Sequence, residues 1–235
     1  MDRHAPPQDP ARADQSQGGT VTTPFSQRIA GGGSKSTRPQ RLVAVLGRSG
    51  AGKSSLCAQL VEDALRAGLD VRIVDPAGNW PGIGEWAQEG DDDPRSEEQI
   101  GDATFREIMK DRKRGDMNMR PMLLVLDDAD QYLDGTKCRG AFKRLFTTYR
   151  HYRMDVLVTA RRTQDLPKVI FTSASNVYLF QHFVSTDYIG REWGADVVDA
   201  IPQAPFQYVL FDVEKRTLTQ GKTRRRVERT AADGA

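Results

Sequence analysis

The sequence predicts an α/β fold, with a mostly parallel sheet of about five core strands flanked by helices and a short C-terminal β-hairpin. Three observations predict it. Short, continuous apolar segments alternate with stretches of helical periodicity, as in parallel sheets that are buried on both faces. The first apolar segment, LVAVL at 42–46, runs through a glycine-rich turn directly into a helix. The last apolar segment, YVLFDV, is followed closely by a short TLT segment, which indicates a hairpin.

The elements follow from these patterns in chain order. Residues 53–67 are predicted to form a helix with Leu56 and Leu60 on its apolar side, and Gly68 ends it. Residues 76–102 contain many acidic side chains and are expected to be largely loop. The other predicted elements are strands at 71–75, 122–128, 156–159 and 176–180, a short helix near 103–110, and an amphipathic helix at 140–153.

Composition divides the chain into one domain and two tails. Residues 1–39 are rich in Pro, Gln, Ser, Gly and Thr and have no periodic apolar residues, so we expect a disordered tail. Residues 40–221 are expected to form the folded domain, and residues 222–235 a second, basic disordered tail. Two cysteines are too few for a disulfide framework, and no apolar segment approaches the roughly 18 residues of a membrane span. A soluble protein of a reducing compartment, the cytoplasm, is therefore expected.

The turn after the first strand carries a phosphate-binding motif. Gly47, Gly52, Lys53 and Ser54 match G-x-x-x-x-G-K-[ST]. Glycines let the backbone direct several N–H groups inward, and the following helix adds its positive N-terminal end. An ordinary glycine turn is the alternative, but the flanking strand and helix favour the motif. The residues predicted to bind the nucleotide are Gly47, Arg48, Ser49, Gly50, Ala51, Gly52, Lys53, Ser54 and Ser55.

Two adjacent carboxylates follow the buried segment LLVL. Asp127 is predicted to hold Mg²⁺ together with the Ser54 hydroxyl, and Lys53 to contact the β- and γ-phosphates. Asp128 is predicted to orient and polarise the water that attacks the γ-phosphate. A pair of solvated acids at the start of a loop is the alternative. A second carboxylate favours hydrolysis over switching, and over transfer to a metabolite by a small-molecule kinase.

The absence of certain motifs narrows the class of P-loop NTPase that the sequence predicts. The sequence has no N-K-x-D motif of the kind that reads guanine and no LSGGQ-like segment. The chain after the fifth strand is strand-like, which argues against a helical lid of the AAA+ type. ATP is therefore the predicted nucleotide, and GTPases, ABC ATPases and AAA+ proteins are disfavoured.

Three further segments resemble those of the HerA/FtsK superfamily of DNA-pumping ATPases. They are VRIVDPAGNW after the second strand, YRHYRMDVLVTARRTQDLP around the fourth, and FQHFVSTDYI after the fifth. The resemblance covers residues 40–213 and implies a RecA-like P-loop NTPase fold. The small size and the absence of an added DNA-reading domain look most like the genome-packaging ATPases of membrane-containing icosahedral viruses. Cell-division translocases and filamentous-phage assembly ATPases share the core but carry membrane anchors.

The chain departs from that family at two positions. The family usually has Glu beside the magnesium-binding aspartate, where this chain has the shorter Asp128. The family's polar sensor, usually Gln, is Ala160 here. Thr159 or Arg161 would then have to contact the γ-phosphate.

The resemblance also implies an assembly. The family acts as a ring, commonly a hexamer, in which an arginine of one subunit completes the site of the next. Arg150 matches that arginine, and Arg153, Arg161 and Arg162 are competitors. Double-stranded DNA is the implied substrate, bound through its backbone without sequence preference, and a capsid vertex is a possible docking partner. The location would then be the host cytoplasm or the virion vertex.

The basic clusters are open to more than one interpretation. Net charge is only +2, which does not by itself indicate a nucleic-acid-binding protein. DNA backbone contact and ordinary solvated surface both fit the clusters, and the basic C-terminal residues could tether DNA or dock on a protein. Trp80 and Trp86 are expected to pack in the core or in a lid. A regulatory or assembly ATPase that acts on a protein partner therefore remains the alternative to a DNA translocase. The two clusters are Arg139, Lys143 and Arg150, and Lys110, Arg112, Lys113 and Arg114.

Overall fold

A computed structural model describes residues 40–88, 92–116, 118–133, 140–182 and 186–223. The tail predicted at 1–39, the part of the basic tail after 223, and Arg139 lie outside these residues. The strands are β1 (Leu42–Leu46), β2 (Asp70–Val74), β3 (Gly84–Glu85), β4 (Met122–Leu126), β5 (Met154–Ala160), β6 (Asn176–Phe180), β7 (Gln207–Asp212) and β8 (Thr217–Lys222). The helices are α1 (Lys53–Arg66), α2 (Glu97–Met109), α3 (Gly140–Thr148), α4 (Lys168–Ser173), α5 (Asp187–Trp193) and α6 (Ala195–Asp199), with 3₁₀ turns at Ala129–Gln131, Tyr149–Tyr152 and Thr163–Asp165.

The strands form one sheet in the order β3-β2-β4-β5-β1-β6-β7-β8. All neighbours from β3 to β6 are parallel, and β7 and β8 form the antiparallel hairpin. Leu46 at the end of β1 pairs with Ala160 of β5 and Leu179 of β6, so these strands end together. We call this side of the sheet the carboxyl edge and the opposite side the amino edge. The predicted α/β fold, its five core strands and its hairpin are confirmed.

Alternate residues of the strands face two separate apolar layers. Val43 and Val45 of β1 pack with Leu56 and Leu60 of α1 on one face. Leu42, Ala44 and Leu46 of the same strand lie in the layer that contains residues of α2, α3 and α4. Continuous apolar strands are therefore needed, because both faces of the sheet are covered.

Some boundaries differ from the sequence prediction. Helix α2 begins at Glu97, inside the predicted acidic loop, because Ser96 and Gln99 form a reciprocal capping box. The predicted helix at 140–153 is α-helical only to Thr148 and then tightens into a 3₁₀ turn. Strand β8 includes Lys222, and Thr223 is buried with its N–H donating to the Phe206 carbonyl, so the fold extends two residues into the predicted tail.

Short elements account for the remaining differences. The two-residue β3 and the helices α4, α5 and α6 are too short for a periodic apolar pattern to reveal them. Among the described residues, no helix is long and apolar enough to cross a membrane.

Candidate functional site

The glycine-rich loop between β1 and α1 lies at the carboxyl edge, against the end of β6. The Arg48 N–H donates to the Gln181 carbonyl at 2.9 Å. Gly47 has a φ of 151°, and a Cβ there would lie 2.6 Å from the Phe180 Cβ. Gly52 begins α1 with a φ of 107°, in the left-handed region that favours glycine. The glycines of the motif are therefore required both by backbone conformation and by close packing.

Lys53 is buried beside this loop. The residue is 7% exposed, and its Nζ donates to the Arg48 carbonyl at 3.1 Å. Burial lowers the pKa of Lys53, and the nearby Asp128 carboxylate opposes that shift. An anion bound in the loop would stabilise this desolvated ammonium group. In the same turn of α1, Ser54 is exposed and Ser55 is buried.

Asp127 follows β4 directly and is 4% exposed. Its N–H donates to the Val74 carbonyl of β2 at 3.0 Å. The Thr159 hydroxyl donates to Asp127 Oδ1 at 2.7 Å, and the Trp80 indole N–H donates to Oδ2 at 2.9 Å. Each carboxylate oxygen thus accepts one hydrogen bond and keeps further acceptor capacity.

Asp128 has a left-handed backbone, with a φ of 43°. Its N–H donates to the Thr159 hydroxyl oxygen at 2.8 Å. Burial raises the pKa of the Asp128 carboxyl, and the negative charge of Asp127 raises it further. A carboxylate with a raised pKa is a stronger proton acceptor, which suits a general base.

Thr159 or Arg161 is predicted to contact the γ-phosphate, and the structure places the two residues in different environments. Thr159 is 1% exposed, and its hydroxyl already donates to Asp127 and accepts from Asp128. It therefore holds the two acids in place. The Arg161 Nε lies 3.8 Å from Asp128 Oδ1 and 3.9 Å from Asp130 Oδ2 of its own chain. Unlike Thr159, Arg161 has a half-exposed side chain, and it lies next to the glycine-rich loop.

Arg150 lies at the amino edge, in the 3₁₀ turn that precedes β5. The seven residues of β5 separate this turn from the carboxyl edge, a distance of about 20 Å at 3.3 Å per residue. Arg150 is exposed, and its Nε donates to the Tyr149 hydroxyl at 3.2 Å. It cannot reach the loop of its own chain.

Two other candidates for the trans arginine contact residues of their own chain. The Arg153 guanidinium donates to the Met119 carbonyl at 2.8 Å. Arg162 is exposed and lies 3.8 Å from Asp165. Arg112, assigned above to a basic surface cluster, has a side chain only 5% exposed that bonds to the Arg120 carbonyl and Asp70. That assignment is wrong for Arg112, because its guanidinium is buried at the amino edge.

Sequence reasoning missed several neighbours of the site. It did not predict the bond from Trp80 to Asp127, or the packing of Phe206 and Thr223 against Gly52. The segment that holds Trp80 was singled out, but nothing in its pattern shows that the indole turns back toward β4. Phe206 and Thr223 come from distant parts of the chain, so only the fold brings them to the loop.

The carboxyl edge fits a magnesium–nucleotide complex. Asp127 and the exposed Ser54 supply a carboxylate and a hydroxyl, the oxygen ligands that Mg²⁺ prefers. Among the described residues, no group of three or more His, Cys, Asp or Glu side chains is placed to hold a metal. A magnesium ion held by one carboxylate, one hydroxyl, water and phosphates does not need such a group.

The sheet order, the glycine-rich loop and the carboxylates that end β4 define the fold of a P-loop NTPase. The chain is similar to the genome-packaging NTPase B204 of Sulfolobus turreted icosahedral virus 2, solved with AMPPCP, at 16% identity and a TM-score of 0.60, over 80% of this chain and 99% of that one. B204 of Sulfolobus turreted icosahedral virus, a DNA-packaging ATPase, matches at 14% identity with a TM-score of 0.62, over 79% of this chain and 98% of that one.

A secretion ATPase shares the same core. The cytoplasmic domain of EccC, a type VII secretion ATPase from Thermomonospora curvata, matches at 16% identity with a TM-score of 0.54, over 80% of this chain but only 25% of that one. No family model matches the sequence, and no curated protein matches it. The fold expected from the resemblance to the HerA/FtsK superfamily is confirmed by these structures.

Proposed function

We propose that this chain is an ATP-hydrolysing DNA translocase, a genome-packaging motor subunit that acts in a ring. The observation that carries the proposal is the arrangement at the carboxyl edge. A buried lysine beside the glycine-rich loop and two aspartates held by Thr159 lie at the same edge of the sheet. Known DNA-packaging ATPases with the same fold support the assignment to packaging.

The chain's residues divide the chemistry between them. Residues 47–55 bind the phosphates through backbone N–H groups, and Lys53 supplies positive charge to the β- and γ-phosphates. Asp127 and Ser54 would hold Mg²⁺, and the bound ion would neutralise charge on the phosphates. Asp128 accepts a proton from the attacking water. Arg161 lies on the same side and is available to contact the γ-phosphate or the water.

The position of Arg150 supports a ring. This arginine lies about 20 Å from its own site, so it can act only on the site of another subunit. A trans arginine typically contributes about 10³ to 10⁵ in rate. A hexamer, with DNA in the central channel and a capsid vertex as the docking partner, is the arrangement that we propose by analogy with packaging ATPases. The host cytoplasm or the virion vertex would be its location.

Stimulation by DNA tests this function. The ATPase rate should rise when duplex DNA of any sequence is added at low salt. The logarithm of the affinity should fall by about 0.9 per phosphate contact for each tenfold rise in salt. Lys143 is exposed on α3, so Lys143→Ala should reduce that slope by about one contact. An ATPase rate that does not respond to DNA would contradict translocation.

A protein partner is the alternative, and one surface favours it. A cavity of about 470 Å³ between α2 and α3 has an apolar floor that includes Phe105 and Leu145 and a basic rim that includes Arg106, Lys110 and Arg144. Such a cavity suits an acidic peptide with an apolar anchor. On this alternative, an ATPase of the same chemistry would respond to that partner and not to DNA.

A further inference from the structure

The indole of Trp80 forms a hydrogen bond to Asp127 that has no part in the catalytic roles proposed above. Its Nε1–H donates to Asp127 Oδ2 at 2.9 Å, and the residue is 6% exposed. Indole has a single polar group, which can only donate. This donor therefore ends on the carboxylate that we assign to Mg²⁺.

Hydrogen bonds within the loop after β2 fix the position of Trp80. The Asp75 carboxylate accepts the Asn79 N–H at 2.9 Å and the Trp80 N–H at 2.8 Å. The Trp80 carbonyl accepts the N–H of Gly84 at 2.7 Å, and Gly84 is the first residue of β3 and pairs with Ile73 of β2. A Cβ at position 84 would collide with the Asp75 carboxylate. The backbone of Trp80 is thus fixed on both sides, and β2 and β3 carry that constraint.

Two separate elements, strand β5 and the loop after β2, therefore orient Asp127. Thr159 of β5 holds Oδ1, and Trp80, from the loop after β2, holds Oδ2. With one donor on each oxygen, rotation of the carboxylate would break both hydrogen bonds. Each oxygen keeps acceptor capacity for one further ligand.

We propose that Trp80 is a positioning residue for the magnesium–nucleotide complex and that it acts through Asp127. The inference rests on the proposed ATPase site and adds to it a residue from outside the P-loop and the Asp127–Asp128 segment. A group that orients a metal ligand typically contributes about 10- to 100-fold in metal affinity or activity. The effect of Trp80 should therefore depend on Mg²⁺, whereas a purely structural role would affect all nucleotide binding alike.

Trp80→Phe tests the proposal, because it removes the N–H and keeps an apolar ring. ATP binding is measured by calorimetry on the full chain, across a range of Mg²⁺ concentrations and in EDTA. We expect the Mg²⁺ concentration that gives half of the affinity gain to rise about 10-fold or more. Affinity in EDTA should stay unchanged.

Trp86→Phe is the matched control. The Trp86 indole N–H bonds to Gln88 at 3.1 Å and its ring lies 5.6 Å from the Tyr132 ring, without any contact to the carboxylates given above. This variant also loses one indole N–H from the same part of the chain. It should keep the wild-type dependence on Mg²⁺.

A second measurement does not need Trp80→Phe to fold. The chain has three tryptophans, so Trp86→Phe and Trp193→Phe identify the Trp80 indole signal in NMR spectra by elimination. In the unsubstituted chain the Trp80 N–H should exchange slowly with solvent. Its signal should shift when Mg²⁺ is added to the ATP-bound protein and shift less when ATP is added in EDTA.

The outcomes separate the two proposals. The same Mg²⁺ requirement in Trp80→Phe and Trp86→Phe would overturn the role of Trp80, and so would an equal loss of affinity with and without Mg²⁺. A Trp80 indole that exchanges as fast as that of Trp86 would contradict it too. If the unsubstituted chain binds no ATP, it is the proposed function that fails.

Discussion

The two edges of the sheet carry charged residues in different environments. At the carboxyl edge, Lys53 and Asp127 are buried, and Asp127 is fixed by side chains from two other elements. At the amino edge, Arg150 is exposed, and within the part of the chain that the structure describes its side chain contacts only the neighbouring Tyr149. The charged groups of Lys53 and Asp127 are thus buried and held in place, whereas the Arg150 side chain is exposed.

The contrast shows what each edge requires. Desolvated charges strengthen interactions with a bound phosphate, but they must be held in place while the site is empty. Exposed charges contribute little to the stability of their own chain, about 0 to 1 kcal/mol for an ion pair. Substitutions at the two edges should therefore affect different properties.

Lys53→Ala should have the largest effect. It removes the positive charge from the phosphate site, so ATP hydrolysis should be abolished and nucleotide binding strongly weakened, while the domain stays folded. Turnover and binding are measured together with thermal unfolding. Lys215→Ala, which removes an equally charged but exposed side chain from the β7–β8 turn, is the control. Unchanged turnover in Lys53→Ala would end the P-loop interpretation.

Mixing variants of the two edges should restore activity. An Asp128→Asn subunit has an inactive site of its own but keeps an intact Arg150. An Arg150→Ala subunit keeps an intact Asp128 but has no arginine for the neighbouring site. Each alone should be nearly inactive, while mixed rings contain interfaces in which an intact Asp128 meets an intact Arg150. The recovered rate should stand far above background, since a trans arginine contributes about 10³ or more.

The control for mixing is Arg66→Ala, an exposed arginine on α1 that pairs with Glu62 and Asp63. It should leave the rate unchanged, and mixing it with Asp128→Asn should only dilute activity. If mixed oligomers form and Asp128→Asn with Arg150→Ala recovers nothing, Arg150 does not act in trans. The amino edge of one subunit would then have no catalytic role at the carboxyl edge of another through Arg150.

The pH dependence of turnover should report Asp128. Burial and the charge of Asp127 raise its pKa above the ordinary value of 3.8. A general base works only when deprotonated, so the rate should rise with pH through this raised pKa and then level off. Asp128→Glu should keep a pH-dependent rise and Asp128→Asn should lose it. A single-turnover rate that is flat with pH in the unsubstituted chain would contradict the role of Asp128.

Among the changes proposed in this comparison, Thr159→Val should have the smallest effect on the ATPase rate. It should nevertheless lower the free energy of unfolding clearly. It leaves the Asp128 N–H without its acceptor and Asp127 without one donor. The loss should be about 1 to 3 kcal/mol in the free energy of unfolding, measured by denaturant titration. Thr159→Ser keeps the hydroxyl and should recover most of it. Equal stabilities in the two variants would show that the hydroxyl does not hold the acids.

Local patterns in the sequence determined much of this protein. The glycine motif, the buried strand before Asp127 and the apolar alternation are short-range signals, because backbone conformation and two-sided burial act on neighbouring residues. They were enough to predict the five core strands, the hairpin and the phosphate loop. The fold prediction is confirmed by the strand order, while the roles of the loop and acids remain proposals.

The tertiary structure alone decided which distant side chains meet. The bond from Trp80 to Asp127 joins residues 47 positions apart, and the bonds of Thr159 depend on β4 and β5 ending side by side. The burial of Arg112 follows from its placement between Asp70 and Arg120, although its neighbours in sequence form a basic run. Residue type fixes what a side chain can donate or accept, but the partner is fixed by strand order and by loop geometry.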